Sequence, residues 1–335
     1  MRVGALWYIS DMLTTTLTTG WGLRYPVIGA PMANIGHGRL AHAITAAGGL
    51  GMIGLGVKES LDVIEKESAI ARGDGVPSKF GIGLLAWAIE ARPELFEAAV
   101  QQRPFLISIS FSSVRPYADR LHRAGILLAT QVNSRAAALE AESAGADVIV
   151  SQGTEAGGHT GAVGTLPLLQ IVLDAVGTPV VAAGGIASPR GVAAALAAGA
   201  AGVWVGTAFL LSPESLTADD ARRRIAGASE TDTLLTPVFD RANRLAWPPQ
   251  FPGRALRNPF TDEWSGREEE LVANAAEMAR FRAGAVARDY DITSIFAGQA
   301  VGMLHHQRPA GEVVRHLGEG AEELLRSRAR DLLGA

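Results

Sequence analysis

The chain has 335 residues, 48% of them hydrophobic and 19% charged, with a formal net charge of −4. That length and apolar content can bury one large domain with an appendage, or two domains, and the charge balance, with no Lys/Arg stripe interleaved with aromatics, argues against a nucleic-acid partner. The absence of cysteine excludes disulfides, thiolate nucleophiles and cysteine metal sites, and nothing in the sequence points to a metal.

The first ten residues are mildly apolar, but Asp11 interrupts them too soon for a signal peptide. No apolar run is long enough to span a bilayer, so a cytoplasmic enzyme without a membrane partner is expected. Met12 lies just ahead of the first recognisable pattern, which makes residues 1–11 a candidate upstream-start extension and residues 1–19 an extension ahead of the first domain.

Apolar runs at 26–30, 50–55, 80–84, 105–109, 126–131, 147–151, 179–183 and 202–205 alternate with alanine-rich stretches of helical period at 39–47, 61–72, 94–102, 117–124, 135–144, 166–176 and 190–198. Strict strand–helix alternation implies a parallel sheet, and eight units within about 200 residues imply an α/β fold of the (β/α)8 TIM-barrel type over residues 20–212, with its active site at the strands' C-terminal mouth. An open doubly wound sheet is the structural alternative. No G-x-G-x-x-G opens a helix in the first βα unit, which argues against a dinucleotide-binding version of it.

Beyond the barrel, residues 212–228 read as helical, 231–265 as a long, proline-bearing segment of little periodicity, and 266–287, 292–305 and 311–333 as helical again. A structureless segment of that length is unusual inside a compact domain. Residues 213–335 therefore read as a helical subdomain whose extended part covers the barrel mouth and excludes water.

The most informative stretch is Ser151-Gln152-Gly153-Thr154-Glu155-Ala156-Gly157-Gly158-His159-Thr160-Gly161, directly after the sixth strand. Its glycines let the backbone approach a flat ligand closely. A histidine in such a loop has little core to belong to, and imidazole titrates near neutrality, so His159 is the candidate catalytic base. On the last two strands, Gly184-Gly185 and Gly206-Thr207 mark strand ends that turn toward helices, with Ser188 as N-cap and Pro189 as first helical residue. Taken singly, such glycines can be no more than tight turns. A pair of such ends on consecutive strands is a recurring phosphate cup of barrels, held by backbone N–H groups and a helix N-terminus.

Together, Val27-Ile28-Gly29-Ala30-Pro31-Met32-Ala33, Ala47-Gly48-Gly49-Leu50-Gly51, Glu155-Ala156-Gly157-Gly158-His159-x-Gly161, Ala183-Gly184-Gly185-Ile186, Gly206-Thr207 and Ala297-Gly298-Gln299 resemble the nitronate monooxygenases, over about residues 20–330. The resemblance implies FMN as cofactor and oxidation of alkyl nitronates, or of nitroalkanes, by O2 to a carbonyl compound and nitrite. It implies that Ala30, Pro31 and Met32 lie along the flavin ring, that Gln131 and Gly158 lie near the ring or ribityl chain, and that Gly184, Gly185, Gly206 and Thr207 hold the phosphate. It further implies that Gln299 approaches the flavin and that His159 is the base; a homodimer is one arrangement open to the chain, whose oligomeric state the sequence does not set. One departure stands out: where many members carry an asparagine, the third strand here reads Phe80-Gly81-Ile82-Gly83-Leu84, so that contact is lost and the pocket over the ring is expected to be wider.

Two rivals remain. An FMN reductase taking hydride from NAD(P)H, like an enoyl-acyl-carrier-protein or quinone reductase, shares the frame; its nucleotide would need a site such as Arg241, Arg244, Arg254 and Arg257, which otherwise form a solvated or ion-paired face. A flavin-binding protein without turnover would not need His159. Of the other histidines, His305 and His306 are neighbours in sequence and cannot readily share a metal. His37 lines the pocket or serves a loop, and Trp87 is the tryptophan best placed to reach a ligand.

Overall fold

The computed structural model describes residues 13–73 and 79–334; the candidate extension at residues 1–11 lies outside them. In chain order the elements are α1 (Thr16–Thr19), β1 (Val27–Gly29), α2 (Gly38–Ala46), β2 (Met52–Gly54), α3 (Leu61–Arg72), β3 (Gly81–Leu85), α4 (Ala86–Ala91), α5 (Pro93–Gln101), β4 (Leu106–Ser110), α6 (Arg115–Arg123), β5 (Leu127–Val132), α7 (Arg135–Ser143), β6 (Val148–Gln152), β7 (Gly158–His159), α8 (Thr165–Leu173), β8 (Val180–Ala183), α9 (Pro189–Ala197) and β9 (Gly202–Val205). There follow α10 (Asp219–Ala226), β10 (Thr233–Thr236), α11 (Val238–Asn243), β11 (Gly253–Leu256), α12 (Pro259–Trp264), α13 (Glu268–Ala273), α14 (Ala275–Ala287), a 3-10 turn at Gln299–Met303 and α15 (Ala310–Leu333).

Eight strands pair in parallel in the order β1-β9-β8-β6-β5-β4-β3-β2. A bridge between Ile28 and Leu50 nearly closes the ring, with Gly29 N–H donating to Leu50 O at 2.9 Å and Leu50 N–H to Val27 O at 3.0 Å. The expected (β/α)8 barrel is present, and its strands fall within two residues of the apolar runs. Alternation along each strand explains the packing. Ile28, Met52, Leu106, Ala129, Val148, Val150, Val181 and Trp204 point inward and fill the barrel, while Val27, Ile149, Val180, Ala182 and Val203 point outward onto α2, α7, α8, α9 and α15.

The cover differs from its sequence-level description. Residues 231–265, expected as an extended connection, hold more regular structure than that: β10 and β11 form an antiparallel hairpin, with α11 in its connection and α12 after it. Of residues 212–228 only α10 is regular, and of 292–305 only the 3-10 turn. The cover has its own core of Val238, Phe239, Phe260, Trp264, Phe281 and Ile292, in which burial outweighs the weak local pattern. The last helix, α15, grouped with the cover by the sequence, packs back onto the barrel: Val313, Val314, Leu317 and Ala321 join the core around α2 and α9.

Candidate active site

At the C-terminal ends of β8 and β9 the backbone makes a cradle. Gly184 and Gly185 have φ of +105° and +69°, a region that costs a side-chain-bearing residue free energy. A methyl group on Gly184 would come within 2.9 Å of Gly153 O and one on Gly185 within 3.3 Å of the Glu155 side chain. Ser188 caps α9 through Gly191 N–H, with Pro189 at its first turn. Across the rim, Gly206 lies against Ala30 and Met32, its missing Cβ falling 3.4 Å from Ala30 Cβ and 3.5 Å from Met32 Sδ. The Thr207 hydroxyl accepts Gly298 N–H at 3.0 Å, which leaves its own proton to donate. Gln299 N–H donates to Glu155 O at 2.9 Å, so the C-terminal loop is fastened to the glycine-rich stretch.

Gln131 sits at the end of β5, where its N–H donates to Ser110 Oγ at 3.1 Å. The fold thus gathers Ala30, Pro31, Met32, Gly184, Gly185, Gly206, Thr207 and Gln299 around one rim, with Gln131 and Gly158 on neighbouring strand ends. Gly83 has a different consequence from the one expected: a Cβ there would collide with the Pro31 ring. The space left by the missing asparagine is filled by Pro31 rather than opened.

His159 lies in β7, a two-residue strand pairing antiparallel with β11, Gly253 opposite His159 and Arg254 opposite Gly158. The pairing brings the cover over the loop that follows β6. There His159 Nε2 meets both carboxylate oxygens of Asp240 at 3.0 Å, with both side chains less than a tenth exposed. An ionised carboxylate only accepts, so Nε2 carries the proton and Nδ1 the lone pair of the neutral ring. Asp240 is held in α11, whose Val238 and Phe239 are anchored in the cover's core. Trp247 stacks on the imidazole, ring centroids 3.3 Å apart at 6°, and Phe111, Trp87 and Phe251 surround it.

Sequence reasoning missed Asp240 and Trp247. Asp240 is 81 residues from His159, in a segment without periodicity, and no local pattern tied the two together. Of the four arginines considered as a nucleotide site, Arg241 pairs with Glu269 and Arg257 with Asp262, on exposed surface. Arg254 is buried, its Nε donating to Thr154 O at 2.8 Å and its Nη1 to Thr233 Oγ1 at 3.1 Å. Burial holds its pKa below the ordinary guanidinium value, against the opposing charge of Glu155. His37 sits 4.0 Å from both Glu59 and Glu67, in the loop before α2. Among the described residues no helix is long and apolar enough to cross a membrane, and no group of three or more His, Asp or Glu side chains is placed to hold a metal.

A family model described as nitronate monooxygenase matches residues 94–320. A (3aS,4S,5R,7aS)-5-hydroxy-7a-methyl-1-oxo-octahydro-1H-indene-4-carboxyl-CoA dehydrogenase of Rhodococcus jostii is 35% identical over 81% of this chain and 74% of its own length. A nitronate monooxygenase of Neurospora crassa is 30% identical over 90% of each chain. Among solved structures, FabK from Thermotoga maritima superposes with a TM-score of 0.82 at 28% identity, covering 95% of this chain and 99% of its own.

Proposed function

The chain belongs to the nitronate monooxygenase family and is an FMN-dependent oxidoreductase, and from that premise we propose that it oxidises alkyl nitronates, and nitroalkanes through their nitronates, with O2. The observation that carries this reading is the buried His159–Asp240 pair over the barrel mouth. The cradle of Gly184, Gly185, Gly206 and Thr207 fits a phosphate: two left-handed glycines, where a Cβ would strike the neighbouring chain, turn the backbone into the capped N-terminus of α9, and the Thr207 hydroxyl keeps a proton to donate. Ala30, Pro31, Met32, Gln131, Gly158 and Gln299 are assigned to the flavin's ring and chain. Bound there, FMN would supply the redox chemistry, the transfer of electrons from the substrate to oxygen.

The chain's own part is proton handling and exclusion of water. With its Nε2 proton donated to Asp240, His159 offers Nδ1 as base to the α-carbon of a neutral nitroalkane. The carboxylate then balances the imidazolium that forms, as a buried acidic partner does for a catalytic histidine elsewhere. On a substrate that arrives as the anion, the protonated ring orients and neutralises it instead. The cover, pinned by the β7–β11 pairing, keeps this exchange in a low-dielectric setting where a fixed charge counts for more than in water.

Hydride transfer from NAD(P)H to an enoyl thioester or quinone is the second reading, favoured by the likeness to FabK and to the CoA-thioester dehydrogenase. Against it, Arg241 and Arg257 are engaged in ion pairs, although such surface pairs are weak and exchange readily. Anaerobic mixing separates the two. Bleaching of the yellow protein by ethyl nitronate, with little change in NADH over the same time, is expected; rapid bleaching by NADH alone would favour the reductase.

A further inference from the structure

Four aromatic side chains group beside His159, and one of them differs in kind from the rest. Trp247 rides on the connection between α11 and β11, half-exposed, ahead of Pro248 and Pro249, whereas Phe111 directly follows β4 and Trp87 lies in the first turn of α4, just beyond β3. The indole lies flat on the imidazole at 3.3 Å and 6°. Phe111 meets it nearly perpendicular at 4.8 Å and 83°, and Trp87 at 5.4 Å and 70°. Phe251 braces Phe111 at 5.3 Å and 65°. These are a floor and two walls around a flat ring, in the edge-to-face geometry that aromatic pairs favour.

Two further features mark these walls. Phe111 is held at φ +74°, a conformation that costs a bulky residue free energy and persists where the surroundings impose it. The Trp87 indole N–H is buried without a partner among the described residues, and a buried donor left unpaired calls for an acceptor.

We propose that Trp247 is the resident occupant of a planar slot next to the base, and that the slot takes a flat aromatic group carried on the substrate's α-carbon: the preferred substrates are aryl-substituted nitronates rather than short alkyl ones. The proposal rests on the nitronate reading for the reacting group, and on the aromatic walls for the substituent. An aryl ring that enters as Trp247 withdraws recovers the stack on His159 and the edge contacts of Phe111 and Trp87. An ethyl group recovers little of either, so it displaces the indole at a loss. Each aromatic pair is worth about two- to tenfold in affinity, and two recovered pairs give a preference on the order of tenfold or more.

The test uses the FMN-loaded full chain. kcat/KM is measured for the anions of phenylnitromethane and nitroethane in the parent, Trp247→Ala and Phe111→Leu, and free indole is titrated against the flavin absorbance of the parent and Trp247→Ala without substrate. The parent should favour the aryl anion by about tenfold or more; Trp247→Ala should lower KM for it and bind indole at least about tenfold more tightly than the parent, and Phe111→Leu should draw the aryl preference toward unity. Equal kcat/KM for the two anions in the parent, or a higher KM for the aryl anion in Trp247→Ala, overturns the slot. If neither anion turns over while Trp247→Ala binds indole more tightly, the slot is supported and the nitronate reading fails; neither turnover nor indole binding overturns both.

Discussion

The two sides of the barrel mouth are built from different materials. The side proposed to hold the phosphate is backbone: glycines and a capped helix on two consecutive strands, the pieces within about two dozen residues of one another (184–207). The base side is side chains from two distant stretches, His159 after β6 and, from the cover, Asp240 on α11 with Trp247 on the connection that follows. A backbone site tolerates almost any neighbour but no Cβ, whereas a side-chain site tolerates small backbone changes but depends on the cover staying in register with the barrel.

That contrast is sharpest at Gly185. Gly185→Val puts a β-branched residue at φ +69°, 3.3 Å from the Glu155 side chain, and should give folded but colourless protein, measured as FMN per chain after gel filtration beside an unchanged circular dichroism spectrum. Full flavin content would move the phosphate elsewhere. On the other side, Asp240→Asn keeps the shape and an acceptor for Nε2–H but removes the charge that balances the imidazolium. It should retain FMN and lose about 10- to 100-fold in kcat/KM on neutral nitroethane, with a smaller loss on the preformed anion. Equal losses on both would make Asp240 a structural support only. The smallest effect is expected at Gly83, which packs against Pro31 from the end of β1. Gly83→Ala drives a methyl group into Pro31 and should cost about 1–3 kcal/mol of stability, the usual penalty of overpacking, seen in urea unfolding. No change would mean that Pro31 moves aside freely.

The same contrast explains what could be read from the sequence. The barrel was legible because eight apolar runs alternate with alanine-rich helices, and the glycine turns after β8 and β9 because glycine pairs at strand ends are a local signal. His159 was legible from its loop. Asp240 was not, since its role exists only through the β7–β11 pairing, and neither the hairpin nor α11 has enough length for periodicity to reveal it. The effect of Gly83 was misjudged for a related reason: the residue that fills its space, Pro31, comes from another strand's end. In the cover, the apolar residues that make its core are spread over short elements from Val238 to Ile292, so no single window carries the pattern.

The central claim is that His159 abstracts a proton, and one ratio tests it most directly. His159→Ala, compared with the parent on neutral nitroethane and on its preformed anion, should lose about 10²- to 10⁴-fold on the neutral substrate, the usual contribution of a positioned general base. It should keep far more of its activity on the anion, with FMN still near one per chain because the cradle lies on other strands. Equal losses on the two substrates with flavin retained would contradict the base assignment and leave His159 an orienting role, and no loss on either would remove it from the active site.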